Sequence, residues 1–114
     1  MKQDKVINGR RITTTYTLEN NYRVKVTTAH YGVSKSIRTT VSECIYRQEL
    51  NYAMETHRVF ADYSAHLLTE SVARYSFKAL EDQHARGLEV ASPIVKELLE
   101  AGKNNARECQ MEVA

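Results

Sequence analysis

Residues 10–31 read RRITTTYTLENNYRVKVTTAHY, and two strands joined by a tight turn are written in them. From Arg10 to Leu18, Ile12, Thr14, Tyr16 and Leu18 alternate with Arg11, Thr13, Thr15 and Thr17, the period of two that a half-buried strand requires. From Tyr22 to Tyr31 the same logic sets Tyr22, Val24, Val26 and Thr28 against Arg23, Lys25, Thr27 and Ala29. Glu19-Asn20-Asn21 lies between them, and Asn accepts the left-handed backbone of a hairpin turn. A second turn at Gly32-Val33-Ser34-Lys35 leads to Ser36–Tyr46, where Ile37, Thr39, Val41 and Ile45 alternate with Arg38, Thr40, Ser42 and Cys44. Glu43 falls on the otherwise apolar side. The expectation is a three-stranded antiparallel sheet over residues 10–46.

Beyond Arg47 the pattern changes. No Gly or Pro occurs until Gly87, and Leu50, Ala53, Met54, His57, Phe60, Ala61, Ser64, Leu67, Leu68, Ser71, Val72, Tyr75 and Ala79 fall at spacings of three, four and one. That spacing predicts one long amphipathic helix over about 48–86. Tyr52, Val59, Tyr63 and Phe77 project opposite the main stripe, a second apolar strip available to another helix or to a second copy of the chain. Further on, Ser92 suits an N-cap, Pro93 the first helical position and Gly102 the stop. A shorter helix is therefore expected over 93–101, with Ile94, Val95, Leu98 and Leu99 as its apolar side and a frayed or disordered tail over 103–114. The fold class read from these patterns is α+β, a sheet packed on a long helix with a shorter C-terminal helix, in one domain of 114 residues.

An apolar fraction of 42 % with one Pro and four Gly fits a chain that folds. Cys44 and Cys109 stand 65 residues apart without a CxxC pairing, which reads as a reduced protein. Met1-Lys2-Gln3-Asp4-Lys5 does not open an apolar leader, so a soluble, cytoplasmic protein is expected.

Charge divides the chain. Residues 1–47 hold nine Lys/Arg against three acids, a net +6, and residues 48–114 hold seven against eleven, a net −4. The basic half coincides with the expected sheet, and Arg11, Arg23, Lys25 and Arg38 fall with the Thr run on the face opposite Ile, Val and Leu. Long cations beside hydroxyls suit phosphate and base-edge contacts. Arg10, Lys35 and the Thr hydroxyls would touch the nucleic-acid backbone, and Tyr31 and Tyr46 are candidates for stacking on bases. A solvated antiparallel sheet also needs a polar outer face, which the same residues would supply.

Catalytic and metal-binding chemistry have weaker signals. Asp62, His66 and Glu70 are spaced by four and would share a helix face, but an ion-paired surface explains them equally well. Glu81-Asp82-Gln83-His84 holds a single ExxH, whereas di-iron bundles use two with further carboxylates. No GxSxG elbow occurs, and the four glycines are too scattered for a phosphate-cradling loop. No enzyme activity, cofactor or metal is expected. Two functions remain. In one, the basic sheet face binds DNA or RNA. In the other, the chain is an adaptor or inhibitor of a basic protein, such as a phage or mobile-element protein that blocks a nucleic-acid-processing enzyme. There an acidic helical face with Glu55, Asp62 and Glu70 would act beside Tyr52, Val59, Tyr63 and Phe77, and a homodimer could form through the long helix.

Overall fold

The alternation in residues 10–46 is realised as three neighbouring strands, and the computed structural model adds one more on each side. The elements run β1 (Lys2–Asn8), β2 (Arg11–Thr17), β3 (Arg23–Tyr31), β4 (Ser36–Asn51), β5 (Met54–Ser71) and α1 (Phe77–Glu112). The backbone is described for residues 1–19, 22–51 and 54–112, and side chains for 1–19, 22–43 and 65–103. All five strands form a single antiparallel sheet in chain order. The fold is α+β as expected, with five strands rather than three and, among the described residues, one helix rather than two.

The first strand pairs with the second through a two-residue turn at Gly9-Arg10, flanked by the register pair Asn8 and Arg11. Gly9 has φ +61°, the sign a tight primed turn demands at its first central position and one that glycine adopts without a Cβ penalty. The Arg10 carbonyl then accepts a 2.9 Å bond from His30 N–H, tying the turn to β3.

The fourth and fifth strands correct the helical reading of residues 48–71. β4 runs on to Asn51 and β5 returns from Met54, so this stretch is the long arm of a hairpin. Pairing of β3 with β4 ends at Cys44, whereas β4 and β5 stay paired from Ile45–Phe60 to Asn51–Met54. These seven further pairs carry a two-stranded ribbon roughly 23 Å past the rest of the sheet.

The same hairpin explains why its period misled. Its register shifts between Thr39 and Thr40 and again between Glu43 and Cys44, leaving Leu67 and then Asp62 as extra residues on β5. Each bulge inverts the in–out phase of the strand. Two inversions within a few residues turn alternation into spacings of one and three, which resemble a helical stripe.

Helix α1 begins 29 residues later than the sequence suggests. Ser76 caps it, its Oγ accepting a 3.4 Å bond from Ala79 N–H and its carbonyl a 3.1 Å bond from Leu80 N–H. Pro93 lies inside the helix, which continues past Gly102 to Glu112. The expected boundary at Ser92-Pro93 and the expected tail over 103–112 are thus helical interior, and 113–114 lie outside the described residues. The helix crosses one face of the sheet, where two apolar clusters form. Leu18, Tyr22, Val24, Val26 and Val41 meet Ala91 and Val95. Ile12 and Ile37 meet Leu80, with Val72, Tyr75 and Ala79 around them.

Small residues set the closeness of this packing. A Cβ built on Gly87 would lie 2.5 Å from Thr39 Cγ2, and one on Gly102 would lie 2.2 Å from Tyr22 Cδ1. Both glycines face the sheet inside the helix; neither ends it. Between the apolar clusters lies a buried polar chain. His84, 1 % exposed, has Nε2 at 2.8 Å from Thr14 Oγ1 and Nδ1 at 2.8 Å from Thr28 Oγ1. Thr28 and Thr39 share a further 2.8 Å bond, and Gln83 Nε2 donates to the Ile37 carbonyl at 2.9 Å. Buried hydroxyls and an imidazole are thereby satisfied, which a dry interface requires. Among the described residues, no helix is long and apolar enough to cross a membrane.

Candidate nucleic-acid interface

Because α1 covers the face of Ile12, Val24 and Ile37, the residues that alternate with them are left on the opposite face. Strand register arranges these into rows across the sheet. One row runs Lys2, Thr17, Arg23, and the next runs Asp4, Thr15, Lys25, Ser42. The third is Val6, Thr13, Thr27, Thr40, His66, and the fourth is Asn8, Arg11, Ala29, Arg38, Thr69. Arg11, Arg23, Lys25 and Arg38 therefore share one face, as the alternation implied. Among the described side chains of the strands, that face carries five cations, the fifth being Lys2, against a single acid, Asp4.

The surface is structured by its own side chains. Ala29 is 5 % exposed although it points away from the helix; its register partners are Arg11 and Arg38, whose aliphatic stems are long enough to cover a methyl group. Arg38 holds its guanidinium 5.0 Å from the centre of the Tyr31 ring, a cation–π stack on an exposed tyrosine. Thr13 and Thr27 hydroxyls lie 3.4 Å apart. At the other end, a cleft of about 460 Å³ is lined by Lys2, Asp4, Lys5, Val6, Thr15, Thr17, Arg23 and Lys25. Lys2 and Asp4 face each other across 3.8 Å with both side chains solvated, a pairing too weak to neutralise the cleft.

Comparison with family models, with curated proteins and with solved structures finds no match. What the site does must therefore come from its own chemistry.

Two expected members lie apart from the rest. Arg10, in the β1–β2 turn, places its guanidinium 4.7 Å from the Tyr75 ring centre and its Nη1 3.5 Å from His30 Nδ1, at the margin of the helix-covered face. Lys35 is exposed in the β3–β4 turn with φ +48°, beyond the last row. Tyr46 belongs to β4, with its side chain outside the described residues. Reading of the chain missed Lys2 and the whole of β1. Gly9, the residue type that a type II′ hairpin turn places at its first central position, was the feature that could have revealed it.

The residues of the alternative interface do not form a helical face. Glu55, Val59, Asp62 and Tyr63 belong to β5, with side chains outside the described residues, as is all of Tyr52. Glu70 is also on β5 and is engaged within the chain, its carboxylate 2.6 Å from Arg86 Nη1. Phe77 is the first residue of α1 and is 41 % exposed. A dimer through a helix over 48–86 loses its basis, because that helix does not form. His66 bonds the Thr69 hydroxyl, and no group of three or more metal-ligating side chains occurs among the described residues.

Burial also limits what His84 can do. Desolvation first, and the nearby Lys5 charge second, lower its pKa from 6.5 to about 4. The imidazole is neutral at physiological pH and sealed between helix and sheet. Its place is in the packing and hydrogen bonding between α1 and the sheet.

Proposed function

We propose that this chain is a non-enzymatic nucleic-acid-binding protein and that the uncovered sheet face is its binding surface. The observation that supports this reading is the alignment of Lys2, Arg11, Arg23, Lys25 and Arg38 on four adjacent strands, among Thr hydroxyls and with Asp4 the one acid among the described strand side chains of that face. Cations supply attraction to phosphates, and hydroxyls supply neutral donors that fix the backbone. A polar face needed only for solubility has no requirement for one sign of charge, because interspersed acids and bases serve equally well. The test is fluorescence anisotropy with labelled DNA and RNA oligonucleotides at low salt. Wild type binds, and the combined change Arg23→Ala, Lys25→Ala, Arg38→Ala weakens binding at least tenfold while circular dichroism is unchanged. Equal binding by the two proteins would remove the sheet face from the reading.

A further inference from the structure

We infer that the nucleic acid this face takes is single-stranded, gripped by its phosphates at the cleft and by a base on the Arg38–Tyr31 stack. The inference rests on the function proposed above and specifies its ligand.

Width argues first. The cations stand on β1, β2, β3 and β4 of a five-stranded sheet, and five strands at a spacing of about 4.8 Å extend roughly 19 Å from first to last. The major groove of a duplex is about 12 Å wide and admits a helix or a two-stranded ribbon. This face is too broad to enter it. A duplex laid across the sheet would offer phosphates only, and its stacked bases would leave an aromatic contact unused.

Chemistry at the two ends argues second. The cleft brings Lys2, Lys5, Arg23 and Lys25 together with the Thr15 and Thr17 hydroxyls and the single carboxylate of Asp4, a lining of four cations against one acid, without an aromatic surface and suited to phosphate oxygens. Six residues along β3 from Lys25, about 20 Å away, Tyr31 is 42 % exposed with the Arg38 guanidinium 5.0 Å from its ring centre. A planar cation on a tyrosine presents a flat surface of the kind on which an unpaired base stacks. A basic track with a stacking platform displaced along it is the arrangement that single strands use, since only they can splay a base away from the backbone path.

The experiment titrates fluorescent 12-nucleotide single-stranded DNA, single-stranded RNA of matching sequence, and the corresponding DNA duplex with the full chain at fixed salt. At least one single strand binds about tenfold or more tighter than the duplex. Tyr31→Ala lowers single-strand affinity about fivefold or more, the range expected for loss of one base–aromatic stack, leaves duplex affinity unchanged, and is rescued by Tyr31→Phe. Duplex affinity equal to or above that of both single strands overturns the inference and leaves the proposed function standing. So does a Tyr31→Ala effect of equal size on all three ligands. Absence of binding to any of them removes the proposed function itself.

Discussion

His84 Nδ1 lies 2.8 Å from Thr28 Oγ1, so the imidazole of α1 is bonded directly to the third strand of the sheet it covers. Its other nitrogen reaches Thr14 on β2, and the chain of hydroxyls continues to Thr39 on β4. One side chain thus bonds the helix to two strands directly and to a third through Thr28. A helix held only by Val, Leu and Ala contacts could slide by a turn, whereas these directional bonds are satisfied in one register.

This relationship makes stability depend on pH. A histidine whose folded pKa is depressed contributes in full above the unfolded value of 6.5, and its contribution is lost as pH falls toward about 4, because the unfolded chain takes up a proton that the folded one refuses. The loss across that window is on the order of 3 kcal/mol. Urea unfolding at pH 7.5 and pH 4.5 measures it, with His84→Gln as reference because carboxylates also titrate at the lower end. The wild type should lose about 2–3 kcal/mol more than the variant; equal losses would mean that the imidazole is not held neutral.

Helix glycines normally weaken a helix, so replacing one by Ala is worth roughly 1 kcal/mol in its favour. At Gly102 the sign should reverse, because the added Cβ would stand 2.2 Å from Tyr22 and the ring belongs to the buried core. Overpacking of this kind is destabilising by about 1–3 kcal/mol. Gly87→Ala meets Thr39 Cγ2 at 2.5 Å and should also destabilise, since Thr39 is held by its bond to Thr28. Chemical denaturation of both variants decides the point. A gain in stability at either position would show that the helix stands farther from the sheet.

The start of the helix is open to an exchange test. With Ser76 as the cap, Ser76→Ala should reduce stability by about 0.5–1 kcal/mol, and Ser92→Ala, an exposed change inside a helix, should be neutral or slightly favourable. Pro93→Ala should stabilise, because it restores the interior N–H that proline lacks. Thermal unfolding of the three variants distinguishes this continuous helix from one that begins at Pro93, which would reverse the order of the two serine effects.

Much of the sheet was readable, and the reasons for the rest are local. Ile12, Val24, Val26, Ile37 and Val41 are β-branched residues alternating with Thr, Arg and Lys, so both propensity and period selected the strand. The candidate face followed directly, since a period of two assigns every second residue to solvent. β5 had neither signal. It is rich in helix formers such as Met54, Glu55, Ala61 and Leu67, and its bulges at Asp62 and Leu67 break the alternation. Pairing with β4 overrode local preference. Gly87, Pro93 and Gly102 look like punctuation in the sequence, but all three stand inside α1, and the two glycines are where its packing needs a small residue against Thr39 and Tyr22. The cleft could not be anticipated, because it depends on β1 lying beside β2.

The most direct test of the central claim, that the uncovered face meets phosphates, is the slope of log K against log salt for wild type and for Lys25→Ala between about 50 and 200 mM. Each phosphate contact contributes about 0.7 to the slope for a single strand and about 0.9 for a duplex. The wild type should therefore show a steep negative slope, and Lys25→Ala should make it shallower by about one contact. A flat wild-type slope, or one that Lys25→Ala leaves unchanged, would contradict the account.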